Sequence, residues 1–124
     1  MWPQVNTKKP IIYSCSGCSN VAQLANDIAI ALDREGYCEM SCIAGLGGDV
    51  PSLVKKAVSA EEIIAIDGCK LACTKQTLAR HNLSASTYID LSEFGFRKRQ
   101  HCDFSCTDSM LALKKVHNIL GLDT

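Results

Sequence analysis

The segment "EEIIAIDGCKLACTK" (Glu61–Lys75) joins an apolar run, Ile63–Ile66, to Asp67-Gly68 and then to Cys69 and Cys73, four residues apart. An apolar run without polar alternation is the pattern of a strand covered on both faces, as strands of a parallel sheet are. Asp-Gly is turn chemistry, and the residues after it predict a helix that fades near Asn82. Strand, turn and helix make half of a βαβ unit, and the same half-unit recurs on either side.

Towards the N-terminus, Pro10–Ser14 reads as a first strand that ends at Cys15. Val21, Leu24, Ala25, Ile28 and Leu32 then recur at helical spacing, with Ser19 or Asn20 as the N-cap and Gly36 as the stop. "EMSCIAGL" (Glu39–Leu46) reads as a second strand broken by Gly45, Gly47 and Gly48, after which Asp49 and Pro51 open a short helix to about Val58. Towards the C-terminus, "STYIDL" (Ser86–Leu91) is a fourth strand and Ser92–Cys106 is mixed, basic and irregular. Thr107 or Asp108 is expected to cap a final helix with Met110, Leu113, Val116 and Leu120 inward and Gly121 as its stop. Alternating strands and helices with apolar strands predict a small doubly wound α/β fold, Rossmann- or flavodoxin-like. Its parallel sheet has about four strands, with helices on both faces. Residues 1–9 read as a tail and 10–124 as a single cysteine-rich domain.

Composition narrows the partners. With 13 basic and 13 acidic residues the formal net charge is zero, so no global field attracts nucleic acid or an anionic membrane. No apolar stretch approaches the ~20 residues that span a bilayer, and "MWPQVNTKKP" has no secretory apolar core or cleavage site. The expectation is a cytoplasmic protein that binds neither nucleic acid nor membrane. Eight cysteines in such a chain point to metal binding or redox work rather than to a disulfide framework.

Topology groups the thiols. Cys15 closes strand one, Cys42 falls late in the predicted strand two, and Cys69 follows strand three, so a parallel sheet brings all three to its carboxyl edge. Sites in open α/β sheets lie in the crevice outside that edge, at a switch point in strand order. Neighbouring strands are about 4.8 Å apart, and thiolates sharing a zinc at about 2.3 Å per bond are about 4 Å from one another. Three strand ends can therefore offer three ligands, with Cys73, a helical turn beyond Cys69, as a fourth.

Cys18, in "CSGC" at the mouth of the first helix, and Cys102 and Cys106, in "HCDFSC", are possible additional ligands. His101 is the histidine nearest to these candidates, whereas Cys38 precedes strand two, at the far end, and receives no role. Asp67 and Gly68 would fix the turn that presents Cys69. Lys70 and the Arg97–Arg99 run would offset thiolate charge. "CSGC" also has the form of a thiol–disulfide exchange motif. "GLGGDV" lacks the third glycine of a dinucleotide loop and any following Lys-Ser/Thr, so close backbone approach fits it better than phosphate binding.

Three stretches in order, "YSCSGCSNVAQLANDIAIALDREG", "MSCIAGLGGDVPSLV" and "IDGCKLAC", resemble the DGC-domain family, named after an Asp-Gly-Cys that here is Asp67-Gly68-Cys69. The similarity runs from about Ile11 into the last helix. It implies four chelating cysteines, best matched by Cys15, Cys42, Cys69 and Cys73, and a zinc ion as their ligand. The expectation is a zinc-binding protein with a thiolate site at the carboxyl edge of the sheet. Four thiolates would equally suit an iron–sulfur cluster. The same cysteines could instead serve a thiol-based redox or sulfur-transfer enzyme.

Overall fold

The computed structural model describes residues 9–122, so all of the expected tail except Lys9 lies outside the described residues. Strands β1 (Ile11–Ser14), β2 (Glu39–Met40), β3 (Ile63–Asp67) and β4 (Thr87–Asp90) form one parallel sheet in the order β2-β1-β3-β4. Helices α1 (Asn20–Arg34), α2 (Ile43–Gly47), α3 (Pro51–Val58), α4 (Cys73–Arg80) and α5 (Cys106–Leu120) connect and cover it, with a 3-10 turn at Leu91–Phe94. This is the expected α/β fold with an open sheet.

The period of two along a strand explains why β1 and β3 are apolar throughout. Ile12, Ile64 and Ile66 point to one side, where Leu24, Ile28 and Leu32 of α1 and Ala112 and Val116 of α5 complete a core. Ile11, Tyr13, Ile63 and Ala65 point to the other, against Leu46 of α2, Ala57 of α3 and Leu78 of α4. Leu24, Ile28 and Leu32 are fully buried, each contributing roughly 1.5–3 kcal/mol. Helix α1 begins as expected, with the Ser19 hydroxyl accepting the Ala22 N–H at 3.2 Å. It ends at Glu35, where Gly36 takes a φ of +88°.

Three boundaries differ from the sequence expectation. Strand β2 has only two residues, Glu39 and Met40, which pair with Ile11 and Ile12 of β1. What followed it in the sequence as a strand is helix α2, with Cys42 as its N-cap. Gly45 lets α2 lie against α3, since a Cβ there would stand 2.0 Å from Leu53 Cδ1. Helix α4 begins at Cys73, after a five-residue turn, rather than directly behind Asp67-Gly68. Helix α5 is capped by Ser105, whose hydroxyl accepts the Asp108 N–H at 3.0 Å, rather than by Thr107 or Asp108. It turns Ala112 and Val116 into the core, with Leu113 and Leu120 partly buried against it. Met110, expected inward, is 73% exposed.

Candidate thiolate pocket at the switch point

Strand order reverses between β1 and β3. From β1 the chain moves outward to β2 through α1 on one face. It then crosses back over β1 to β3 through α2 and α3 on the other. The crevice between the carboxyl ends of these two neighbours is where open α/β sheets hold ligands. A cavity of about 170 Å³ lies there, lined by Cys15 and Cys18 of the β1–α1 loop and by Cys69 and Cys73 of the β3–α4 turn. Asp67, Lys98 and Gln100 also reach its wall.

Each residue of the Asp67-Gly68-Cys69 turn has a separate physical task. Asp67 is 1% exposed, and its carboxyl group accepts the backbone N–H of Thr74 at 2.8 Å and of Lys75 at 3.1 Å. The Tyr88 hydroxyl donates to the same group at 2.9 Å. Helix α4 has no capping side chain of its own, because its N-cap, Ala72, sits in the left-handed region at φ +55°. Asp67 therefore caps the helix from a distance and places negative charge at its N-terminus. Burial and then the Asp67 contact hold the Tyr88 phenol well above its usual range. Gly68 is required by packing. A Cβ on it would stand 2.5 Å from the Val21 carbonyl oxygen and 2.9 Å from the Ala22 nitrogen, in the first turn of α1. Only a bare backbone lets the β3–α4 turn meet that helix.

The sulfurs differ in environment. Cys15 accepts the Gly68 N–H at 3.2 Å. Burial pushes its thiol up to about 11 against that hydrogen bond, and Asp67, Cys73 and Cys69 push it the same way. Cys69 is half-buried and receives a hydrogen bond from Lys98 Nζ at 3.6 Å. Cys18 is exposed and donates to Gln100 Oε1 at 3.3 Å. Cys73 opens α4 and is exposed. Cys42 does not line this cavity. It sits at the start of α2, its Sγ accepting the Gly45 N–H at 3.2 Å. Burial pushes the nearby Tyr13 phenol up, against the lowering effect of the Ser41 hydroxyl and of Lys56.

Lys70 turns away from the sulfurs to Asp90 at 3.0 Å and Glu93 at 3.1 Å. Burial works against ionisation of Asp90, but its bonds to Ser92 and Lys70 outweigh that and hold its carboxyl below the usual range. The cation at the pocket is Lys98, a residue whose sequence surroundings marked it only as one of a basic run. Cys102 and Cys106 are exposed and do not line the cavity. Cys38 is buried in the core on the α1 side, and burial pushes its thiol up to about 11. As a donor set, four thiols around one cavity suit a soft or borderline metal. Among the described residues, no three His, Cys, Asp or Glu side chains are gathered at ligating distance as they stand.

A small open parallel sheet carrying a cysteine-lined crevice at its switch point is the class of protein defined by this fold and site. The DGC domain matches residues 11–116, and the chain belongs to that family. It is 50% identical over 111 residues to the anaerobic and virulence modulator AnvM of Pseudomonas aeruginosa, an alignment covering 90% of this chain and 85% of AnvM. No solved structure matches the chain. No described helix is long and apolar enough to cross a membrane.

Proposed function

We propose that the pocket is a thiolate metal site that holds zinc, and that the protein is a cytoplasmic binding module rather than a metabolic enzyme. The observation carrying this reading is the convergence of four cysteines from two loops on one switch-point cavity. Cys15, Cys69 and Cys73 are the shared ligands. The fourth is Cys18, from the cavity wall, or Cys42, from the N-terminus of α2, which packs beside α4. A closed set of four would make the zinc structural or regulatory, since a catalytic zinc keeps one position open. The relative's name, a modulator, supports a regulatory role. Zinc when bound would draw the protons off the thiols. The protein's part is to orient the sulfurs with the Asp67-capped turn and to offset their charge with Gly68 N–H and Lys98.

A second reading, an iron–sulfur cluster, rests on the same donor set, since four cysteines line the cavity and four thiolates hold such a cluster.

Purification under reducing, oxygen-free conditions followed by metal analysis and a visible spectrum tests both. About one zinc per chain without colour is expected, and a brown species would replace zinc with a cluster. Cys69→Ser should abolish metal content and Cys38→Ser should leave it unchanged. Cys18→Ser and Cys42→Ser, side by side, identify the fourth ligand. A metal-free chain that forms one specific disulfide would sink both metal readings in favour of thiol exchange.

A further inference from the structure

The irregular segment after β4 runs across the cysteine pocket, and its fastening is specific. The Asn20 side chain grips its backbone twice, Nδ2 donating to the Arg97 carbonyl at 2.9 Å and Oδ1 accepting the Arg99 N–H at 2.6 Å. The Asn20 N–H adds a bond to the Arg99 carbonyl at 3.1 Å, and Ser19 and Gln100 form an isolated antiparallel bridge. Such extended backbone sends alternate side chains to opposite sides. Lys98 and Gln100 accordingly line the thiol cavity, one bonded to Cys69 and the other to Cys18. Arg97 and Arg99 line a separate cavity of about 300 Å³.

We propose that Arg97–Gln100 is a strap over the thiol pocket, fastened by Asn20, and that Lys98 is a charge-positioning residue of the metal site that slows loss of its contents. This deepens the metal-binding reading and rests on it for the affinity test below. The physical reason is charge. Four thiolates around Zn²⁺ carry a net charge near −2, so an ammonium group already bonded to one of the sulfurs favours the loaded state. A strap tied at both sides of that ammonium group holds it beside half-buried Cys69 and must be displaced before that sulfur is fully open to a competing chelator. Removal of an outer partner of a metal ligand typically costs about 10–100-fold in affinity.

The experiment uses the full chain, reduced and zinc-loaded, with zinc transfer to a chromophoric chelator as the readout. Lys98→Met should weaken zinc binding about tenfold and Lys98→Arg should restore most of it. Lys114→Met, at an exposed position of α5 that does not line the thiol cavity, should behave as wild type. Asn20→Ala should speed zinc release about tenfold. Equal zinc affinity in wild type and Lys98→Met would overturn the role given to Lys98.

A second measurement does not depend on metal: maleimide labelling of the zinc-free reduced chain at one fixed pH, read residue by residue by mass spectrometry. Asn20→Ala, or Gln100→Gly if the first folds poorly, should raise labelling of half-buried Cys69 several-fold while exposed Cys102 stays constant. Unchanged labelling of Cys69 would overturn the strap. A wild type that binds no zinc, yet has labelling sensitive to Asn20→Ala, would remove the metal reading and keep the strap.

Discussion

Gly68→Ala is the substitution for which the structure makes the sharpest demand. The added methyl would lie 2.5 Å from the Val21 carbonyl oxygen, 2.6 Å from its carbon and 2.9 Å from the Ala22 nitrogen. Those separations are up to about 1 Å inside the usual contact of about 3.5 Å. None of the opposing atoms can rotate away, since all belong to the backbone of α1's first turn. Relief therefore requires α1 and the β3–α4 turn to part, which disturbs Leu24 and Ala25 at the core and the Asp67 cap together. Overpacking costs about 1–3 kcal/mol where side chains can adjust, and rigid neighbours put this case at the upper end, about 3 kcal/mol.

For a chain of this size that corresponds to roughly 10 °C of melting temperature. Urea unfolding of the reduced protein followed by circular dichroism measures it. Two internal comparisons calibrate the result. Gly17→Ala places its methyl 3.7 Å from Ala22 Cβ, an ordinary contact, and should stay within about 0.5 kcal/mol of wild type. Gly95→Ala meets nothing within 4 Å but must adopt φ +88°, at a cost of about 1–2 kcal/mol. A Gly68→Ala protein no less stable than Gly17→Ala would refute the close approach of turn and helix.

Further outcomes follow from the same contacts. Asp67→Asn should cost about 1–3 kcal/mol, because an amide cannot accept both α4 N–H groups and the Tyr88 hydroxyl. A double-mutant cycle with Tyr88→Phe should show a coupling of 0.5 kcal/mol or more, and strict additivity would argue against the bond. In the zinc-free reduced chain, Cys15 and Cys38, both pushed up to about 11, are thiolate to roughly one part in a thousand at pH 8. Iodoacetamide should label exposed Cys102 and Cys106 first, and the Cys15 and Cys38 rates should rise about tenfold per pH unit towards that value. Early labelling of Cys15 would contradict its burial. Asp33 is held below the ordinary 3.8 by the Met40 N–H and Arg34, and Asp49 by Arg80. A lowered carboxyl stabilises above its unfolded value and loses that contribution as pH falls through its folded one. The contribution of these two carboxylates should therefore be lost as pH falls below about 4, giving a shallower fall of melting temperature there in Asp33→Asn and Asp49→Asn.

The central strands were legible because each is buried on both faces and leaves an unbroken apolar run, as Ile63–Ile66 does. Helix α1 was legible because its cap, its spacing and its glycine stop agree. Strand β2 was not. Its pairing with β1 stops at Met40, and Gly45 reads as a strand breaker until Leu53 is seen packed where its Cβ would be. That same difference takes Cys42 out of a strand and into the cap of α2. The cation at the pocket was hidden for another reason. Lys70 and Lys98 are equally charged, and only the fold tells that Lys70 meets Asp90 and Glu93 while Lys98, 29 residues from Cys69, meets its sulfur.

The motif that names the family separates into architecture and chemistry. Asp67 is explained by the uncapped N-terminus of α4, and Gly68 by the backbone of α1. Neither needs a metal to account for its identity. Cys69 is different: it is half-buried, and its sulfur makes one long contact to a lysine, so packing does not demand a cysteine there. Serine at that position should leave the turn, the cap and the melting temperature of the zinc-free chain within about 0.5 kcal/mol of wild type. Its effect should fall on metal content alone. If Cys69→Ser instead unfolds the zinc-free protein, the third residue of the motif is architectural as well, and the case for a thiolate site then rests on Cys15, Cys18 and Cys73.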